Sequence, residues 1–381
     1  MEALKWSQVH AWHVLQHGLF PRLNSRNVVE AVRRTGGIQA QVMSAAELAV
    51  CTRVEGLSPQ DVRSALWQDR TLIKTWAMRG TLHLLSAKEL SLYVAARDWH
   101  ATPAWSNYFA EFGLTTPAQQ ESFLSAIPHV LEQGPLTRQQ LADAVAKQTG
   151  IAQVRDFILS ANWGSPLKPS AYRGDLCFGP SQGQNVTFVN PKTWVGTWQS
   201  IEPEQALKHI VQLYLQTYGP ATPEDFARWW GGKLTLAKKL FASMRNELEE
   251  VEVEGWQAFA LCSTLESMQR LEVSETLHFL PLFDAYTIGI PRDLEPVLSQ
   301  AYKSQVFRPQ GWISAVVLIN GSMQGVWRSA TRRSQTIVKL HLFYSPSALI
   351  RKRIEAEVER LSDFFKTKVF LEYEHAASSQ L

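Results

Sequence analysis

Two glutamines one residue apart, Gln39 and Gln41, follow the pair Gly36-Gly37. In an extended chain residues i and i+2 lie on one side of the backbone, so both carboxamides face the same way. A carboxamide is neither an acid nor a base near neutral pH, but it accepts and donates hydrogen bonds. Such a pair can hold and orient a water molecule without deprotonating it. The same spacing suits two turn glutamines that satisfy backbone groups, and Gln-x-Gln alone does not separate the two uses. A second stretch, Thr75-Trp76-Ala77-Met78-Arg79-Gly80-Thr81-Leu82-His83, gathers an arginine and a histidine about a tight turn.

The elements that must position these groups can be read from capping and periodicity. Apolar residues at helical spacing from Leu4 to His17 predict a first helix, and a second runs from about Arg26 to Arg34, stopping at Gly36-Gly37. Ser44-x-x-Glu47 reads as a capping box that opens the helix ending near Arg53. The glutamines therefore sit in a short connection between helices, where a rigid scaffold can present them. Ser58-Pro59-Gln60-Asp61 starts another helix, and β-rich runs flanking Arg79-Gly80 predict a hairpin. Helices followed by a two-stranded wing are the signature of a winged helix.

The same grammar recurs. Thr137-x-x-Gln140 opens a helix, and Arg173 to Phe178 is expected to pair with Val186 to Val189. Arg173-Gly174-Asp175-Leu176 echoes Arg79-Gly80-Thr81-Leu82, which predicts that both arginines lie at the tight turns of their wings. A third unit has Thr222-Pro223-Glu224-Asp225 as its cap and a hairpin about Glu254-Gly255. From Thr276 the pattern turns β-rich, with a hairpin signal at Asn320-Gly321 and an amphipathic helix from Ala348 to Phe365. The expected fold is α+β, with three tandem winged helix-turn-helix domains (1–115, 116–200 and 201–275) and a small C-terminal β-rich domain (276–381).

Composition narrows the function classes. Of 381 residues, 45% are hydrophobic and 19% charged, as in an ordinary globular protein. There is no secretory leader pattern and no apolar run long enough for a membrane span, so a cytoplasmic protein without a membrane partner is expected. Three cysteines far apart, Cys51, Cys177 and Cys262, argue against a zinc site or a disulfide framework. A net charge of +3 permits nucleic-acid binding without requiring it. Basic candidates are Arg33-Arg34, Arg328, Arg332-Arg333 and Arg351-Lys352-Arg353, the last reading better as a solvated helix face.

Taken in order, Gly36-Gly37-Ile38-Gln39-Ala40-Gln41, Thr75 to His83, Arg173-Gly174-x-Leu176-Cys177-Phe178-Gly179-Pro180 and Leu280-Pro281-x-Phe283-Asp284-x-Tyr286 resemble the AlkZ/AlkX (YcaQ) family of bacterial DNA glycosylases. The resemblance covers almost the whole chain. It implies a C-shaped clamp on duplex DNA and excision of alkylated purines, with unhooking of interstrand crosslinks. It also implies that Gln39 and Gln41 are catalytic, in the Gln-x-Gln form of the AlkZ branch. A purine alkylated at N7 is cationic and leaves as a neutral base, so no general acid is needed. Carboxamide dipoles aimed at C1′ would stabilise an oxocarbenium-like transition state.

Expected DNA contacts are Arg79, Thr81, His83, Arg173, Trp327, Arg328, Arg332 and Arg333. His83 also suits a packed, backbone-bonded role. Asp284 is the carboxylate that would assist, although a loop-capping role fits it equally. No motif places a Schiff-base lysine, so a monofunctional enzyme leaving an abasic site is expected, acting as a monomer without metal or cofactor. Whether the target base is flipped stays open, since a crosslinked base cannot flip freely. The alternatives are a non-catalytic winged-helix regulator and a self-resistance protein directed at one alkylating toxin.

Overall fold

A computed structural model describes residues 2–24, 27–97, 109–160, 162–196, 198–332 and 334–374. The chain forms two compact units, one of residues 1–62, 211–229 and 237–381, the other of residues 63–210 and 230–236. Among the described residues no helix is long and apolar enough to cross a membrane.

The first unit holds the glutamines. Helices Trp6–Gln16, Val28–Arg34 and Met43–Arg53 lead into it. The last of these begins earlier than its predicted capping box, with Val42 at the N-cap and no side-chain cap. Ser44 thus falls inside the first turn, and Glu47 is buried.

A five-stranded sheet runs in the order Leu277–Leu280, Ala315–Ile319, Ser322–Arg332, Gln335–Leu342, Lys368–Tyr373. Its last pair is parallel and therefore needs a crossover, which helix Ala348–Phe365 supplies. Ser347 caps that helix through the N–H of Ile350. Ile354, Val358 and Leu361, at i, i+4 and i+7, pack on Phe279, Val317, Trp327 and Leu340 of the sheet. Burying each such side chain contributes about 1.5–3 kcal/mol.

The hairpin turn at Asn320-Gly321 is present, with φ of 50° and 80°. It is tied into the unit, however. Asn320 exchanges hydrogen bonds with Thr276, Tyr286 Oη donates to the Gly321 carbonyl at 2.7 Å, and a Cβ on Gly321 would lie 2.4 Å from His10. The free end of this ribbon is the opposite one, where residues 328–332 and 334–335 are exposed beyond the core. A second sheet pairs Glu2–Leu4 in parallel with Leu248–Val253, which returns through Glu254-Gly255 to Trp256–Leu261.

The second unit carries the other two predicted hairpins. Leu72–Trp76 pairs with Leu82–Ser86, and Cys177–Gln182 pairs with Asn185–Val189. Helices Pro117–Val130 and Arg138–Thr149 each open with a capping box, Thr116 with Gln119 and Thr137 with Gln140. The core gathers Trp76, Phe109, Phe123, Phe157, Phe178 and Phe188.

Candidate functional site

The glutamine loop is held by its carbonyls and glycines. Helix Val28–Arg34 ends as the N–H of Gly37 bonds the Val32 carbonyl at 2.9 Å and that of Gly36 bonds Arg33 at 3.0 Å. Thr35, fully buried, donates its hydroxyl back to Ala31 and Val32. Tyr218 Oη donates to the Thr35 carbonyl and Thr217 Oγ1 to the Arg34 carbonyl, both at 2.7 Å. Gly36 has φ +65°, and a Cβ there would lie 2.9 Å from the Trp229 ring, so glycine is required on both counts. Beyond it Ile38 and Ala40 are fully buried, Gln39 is 8% exposed and Gln41 is partly exposed. The strand covers only Ile38–Gln39, so Gln39 is buried within it while Gln41 lies at the bend that leads into the next helix.

The holding helix, Pro203–Tyr218, is packed through aromatic rings. Tyr214, Tyr218 and Trp229 lie with ring centroids 5.0–5.7 Å apart.

In the same unit Arg53 and Asp284, both fully buried, form a two-pronged ion pair at 2.7 and 2.8 Å. Asp284 also accepts the N–H of Tyr286, and Arg53 donates to the Ala49 carbonyl. Both oxygens of Asp284 are thus engaged at a fully buried position, as the capping role read from the sequence requires. His17 lies 3.4 Å from Arg53, and His13 Nε2 lies 3.0 Å from the Tyr218 and Gly219 carbonyls. Burial lowers His10 to about 4 and His13 to about 3, and takes His17 well below its ordinary value. Burial, with Arg22 and Arg53 nearby, holds His278 at about 3.

The hairpin tip of the second unit is organised around Arg79, which has φ 55°, a left-handed value uncommon outside glycine. His83 is buried. Its Nδ1 bonds the Thr81 carbonyl at 3.0 Å, which makes Nε2 the acceptor for the Arg79 guanidinium at 3.1 Å. Burial and that guanidinium lower His83 to about 3, which keeps the ring neutral. His83 is thus the packed, backbone-bonded residue and holds Arg79, while Thr81 bonds the Met78 carbonyl.

The remaining expected contacts separate. Arg173 is not in a wing turn: it follows helix Lys168–Tyr172, ahead of the strand, and pairs with Glu121 and Asp175. The turn of that hairpin is Gly183-Gln184 instead. Trp327, read from the sequence as a DNA contact, belongs to the sheet core and its indole N–H donates to the Leu280 carbonyl at 2.8 Å. Arg328 is exposed and pairs with Glu374, and Arg332 is exposed near the free end of the ribbon. Arg333 lies outside the described residues.

Among the described residues no group of three His, Cys, Asp or Glu side chains forms a metal-ligand set. The sequence reading missed Arg53, Tyr218 and Trp229. Their roles depend on partners 231, 183 and 193 positions away, and no local pattern marks such pairings.

A family model described as "DNA glycosylase AlkZ-like" matches residues 32–364. An "Interstrand DNA cross-link repair glycosylase" of Streptomyces sahachiroi is 37% identical over 331 residues, covering 84% of this chain and 87% of that protein. The solved structure of the Streptomyces sahachiroi DNA glycosylase AlkZ matches with a TM-score of 0.85 at 33% identity, covering 98% of this chain and all of that one.

Proposed function

The chain belongs to the AlkZ-like DNA glycosylase family, and from that membership we propose that it hydrolyses the N-glycosidic bond of N7-alkylated purines in duplex DNA. It is a DNA glycosylase with an α+β fold like that of AlkZ. In this reading it leaves an abasic site and also unhooks interstrand crosslinks, the substrate that its Streptomyces sahachiroi relative's name carries. Neither the family model nor the two relatives supports the regulator alternative. The helix-and-hairpin groups are three winged helices, with the β-rich residues 276–381 as a fourth domain, and the protein works as a monomer in the cytoplasm.

The observation that carries this reading is the immobilised backbone under Gln39 and Gln41, pinned through Thr35, Gly36, Ile38 and Ala40. Two carboxamides on such a mount hold their geometry through the reaction, and preorganised dipoles aimed at developing charge are the largest usual source of rate. One carbonyl accepts a hydrogen bond from the attacking water, and the pair directs the lone pair of that water at C1′. The departing N7-alkylated purine takes the bonding electrons and its positive charge is cancelled. The proton of the water passes to solvent after attack, because no neighbouring carboxylate is assigned to take it.

Single-turnover base release from a duplex with one N7-methylguanine tests this. Gln39→Ala and Gln41→Ala are expected to lose roughly a hundredfold or more, over about 2.7 kcal/mol. Release at wild-type rate by both variants would remove the glutamines from the mechanism.

A further inference from the structure

The second unit gathers three cations about one turn. Arg79 is held by His83, as described. The Arg97 guanidinium stacks 3.2 Å from the centre of the Tyr172 ring and donates to the Ala77 carbonyl at 3.1 Å. Lys168 Nζ and Tyr172 Oη lie 3.8 and 3.2 Å from where a Gly80 Cβ would be. Gly80, at φ +70°, therefore lets Lys168 and Tyr172 approach the turn backbone closely. Among the described residues neither Arg97 nor Lys168 has a carboxylate within ion-pair distance, whereas Arg173, Lys192 and Arg155 of the same unit all do.

We propose that the 77–81 turn, with Arg97 and Lys168, is a subsite for one phosphate of the DNA backbone. Several observations favour an anion there. Two half-buried cations near one another repel, and an anion between them replaces that repulsion by attraction. Burial lowers Lys168, and the neighbouring Arg97 lowers it further; burial lowers Arg97 to about 10. The Tyr172 ring and the Ala77 carbonyl fix the Arg97 guanidinium before any ligand arrives, so little side-chain freedom is lost on binding. Phosphodiester and free phosphate share this chemistry. The turn belongs to a hairpin of a DNA glycosylase, which favours the diester, and in that respect the proposal rests on the function given above.

The test compares wild type, Lys168→Gln and Arg97→Gln on a short duplex across a potassium chloride series, with base release measured on the same preparations. Removing the cation that neutralises one phosphate reduces the slope of log affinity against log salt by about 0.9. Lys168→Gln is expected to show that reduction while unfolding at the wild-type temperature or above it, because it removes an unbalanced charge. Arg97→Gln is expected to reduce the slope similarly and to unfold earlier, having lost its stack on Tyr172.

If wild type releases the base while the slope is unchanged in Lys168→Gln, the subsite is overturned and the function stands. If wild type neither binds duplex nor releases base, the function itself fails. Inorganic phosphate against chloride at equal ionic strength forms the last arm. Stabilisation of wild type alone by inorganic phosphate, with equal DNA slopes, would assign the site to free phosphate and overturn the proposal.

Discussion

Arg79-Gly80-Thr81-Leu82 and Arg173-Gly174-Asp175-Leu176 are alike in sequence and unlike in the molecule. Arg79 occupies the turn of its hairpin, in a left-handed conformation, against a neutral histidine. Arg173 ends a short helix with ordinary helical dihedrals, and its charge is taken up by Glu121 and Asp175. The difference begins at the third position. Asp175 collects Arg173 and Lys192 into a local ion-pair cluster, whereas Thr81 turns its hydroxyl to a backbone carbonyl. An arginine answered by carboxylates braces the fold. Arg79 is instead mounted on a neutral histidine, in the turn that Arg97 and Lys168 approach.

The contrast can be tested through cations of graded pairing. The largest effect is expected at the fully buried extreme. Arg53→Met strands Asp284 without a partner and should lower stability by about 3–5 kcal/mol in urea unfolding. A loss below about 1 kcal/mol would mean that the pair contributes little.

Next is the neutral-histidine mount. A histidine lowered on folding binds fewer protons folded than unfolded, so its stability is complete above the unfolded value of 6.5 and is lost as pH falls towards the folded one. For His83, His13 and His278 the window runs from 6.5 down to about 3, and for His10 to about 4. Urea midpoints should therefore fall steeply between pH 6.5 and 4.5, with uptake of several protons on unfolding. His83→Phe should flatten that fall slightly and also loosen Arg79. A midpoint unchanged down to pH 4.5 would show these rings to be solvated.

Arg79→Ala is expected to weaken duplex binding by about tenfold, corresponding to the loss of roughly 1.4 kcal/mol. Arg173→Ala should leave binding within about twofold and change stability by no more than about 1 kcal/mol, as for an exposed pair. Equal losses of binding would erase the distinction between the two turns.

The sequence was most informative where the determinants are local. The capping box of Thr137 and Gln140, the Asn320-Gly321 turn, the Glu254-Gly255 turn and the 348–365 helix follow from residues within four or so positions of one another. What was not legible is what those elements meet. Trp327 stands on a ribbon whose far half is exposed, and only the sheet pairing shows that its own position faces the core. The Ser44 to Glu47 pattern is a sound box by spacing, yet Val42 already begins the helix, and packing then buries Glu47. Asp284 offered two roles, and the Arg53 that pairs with it comes from a helix 231 positions away.

The central claim is that Gln39 and Gln41 orient a water without titrating. Its most direct test is the pH dependence of single-turnover N7-methylguanine release by the wild-type enzyme, from pH 6.5 to 9 and at saturating enzyme. A rate that stays flat across this range is expected, since a carboxamide gains and loses no proton there. A rate that rises through a single ionisation between those limits would reveal a general base and contradict the assignment.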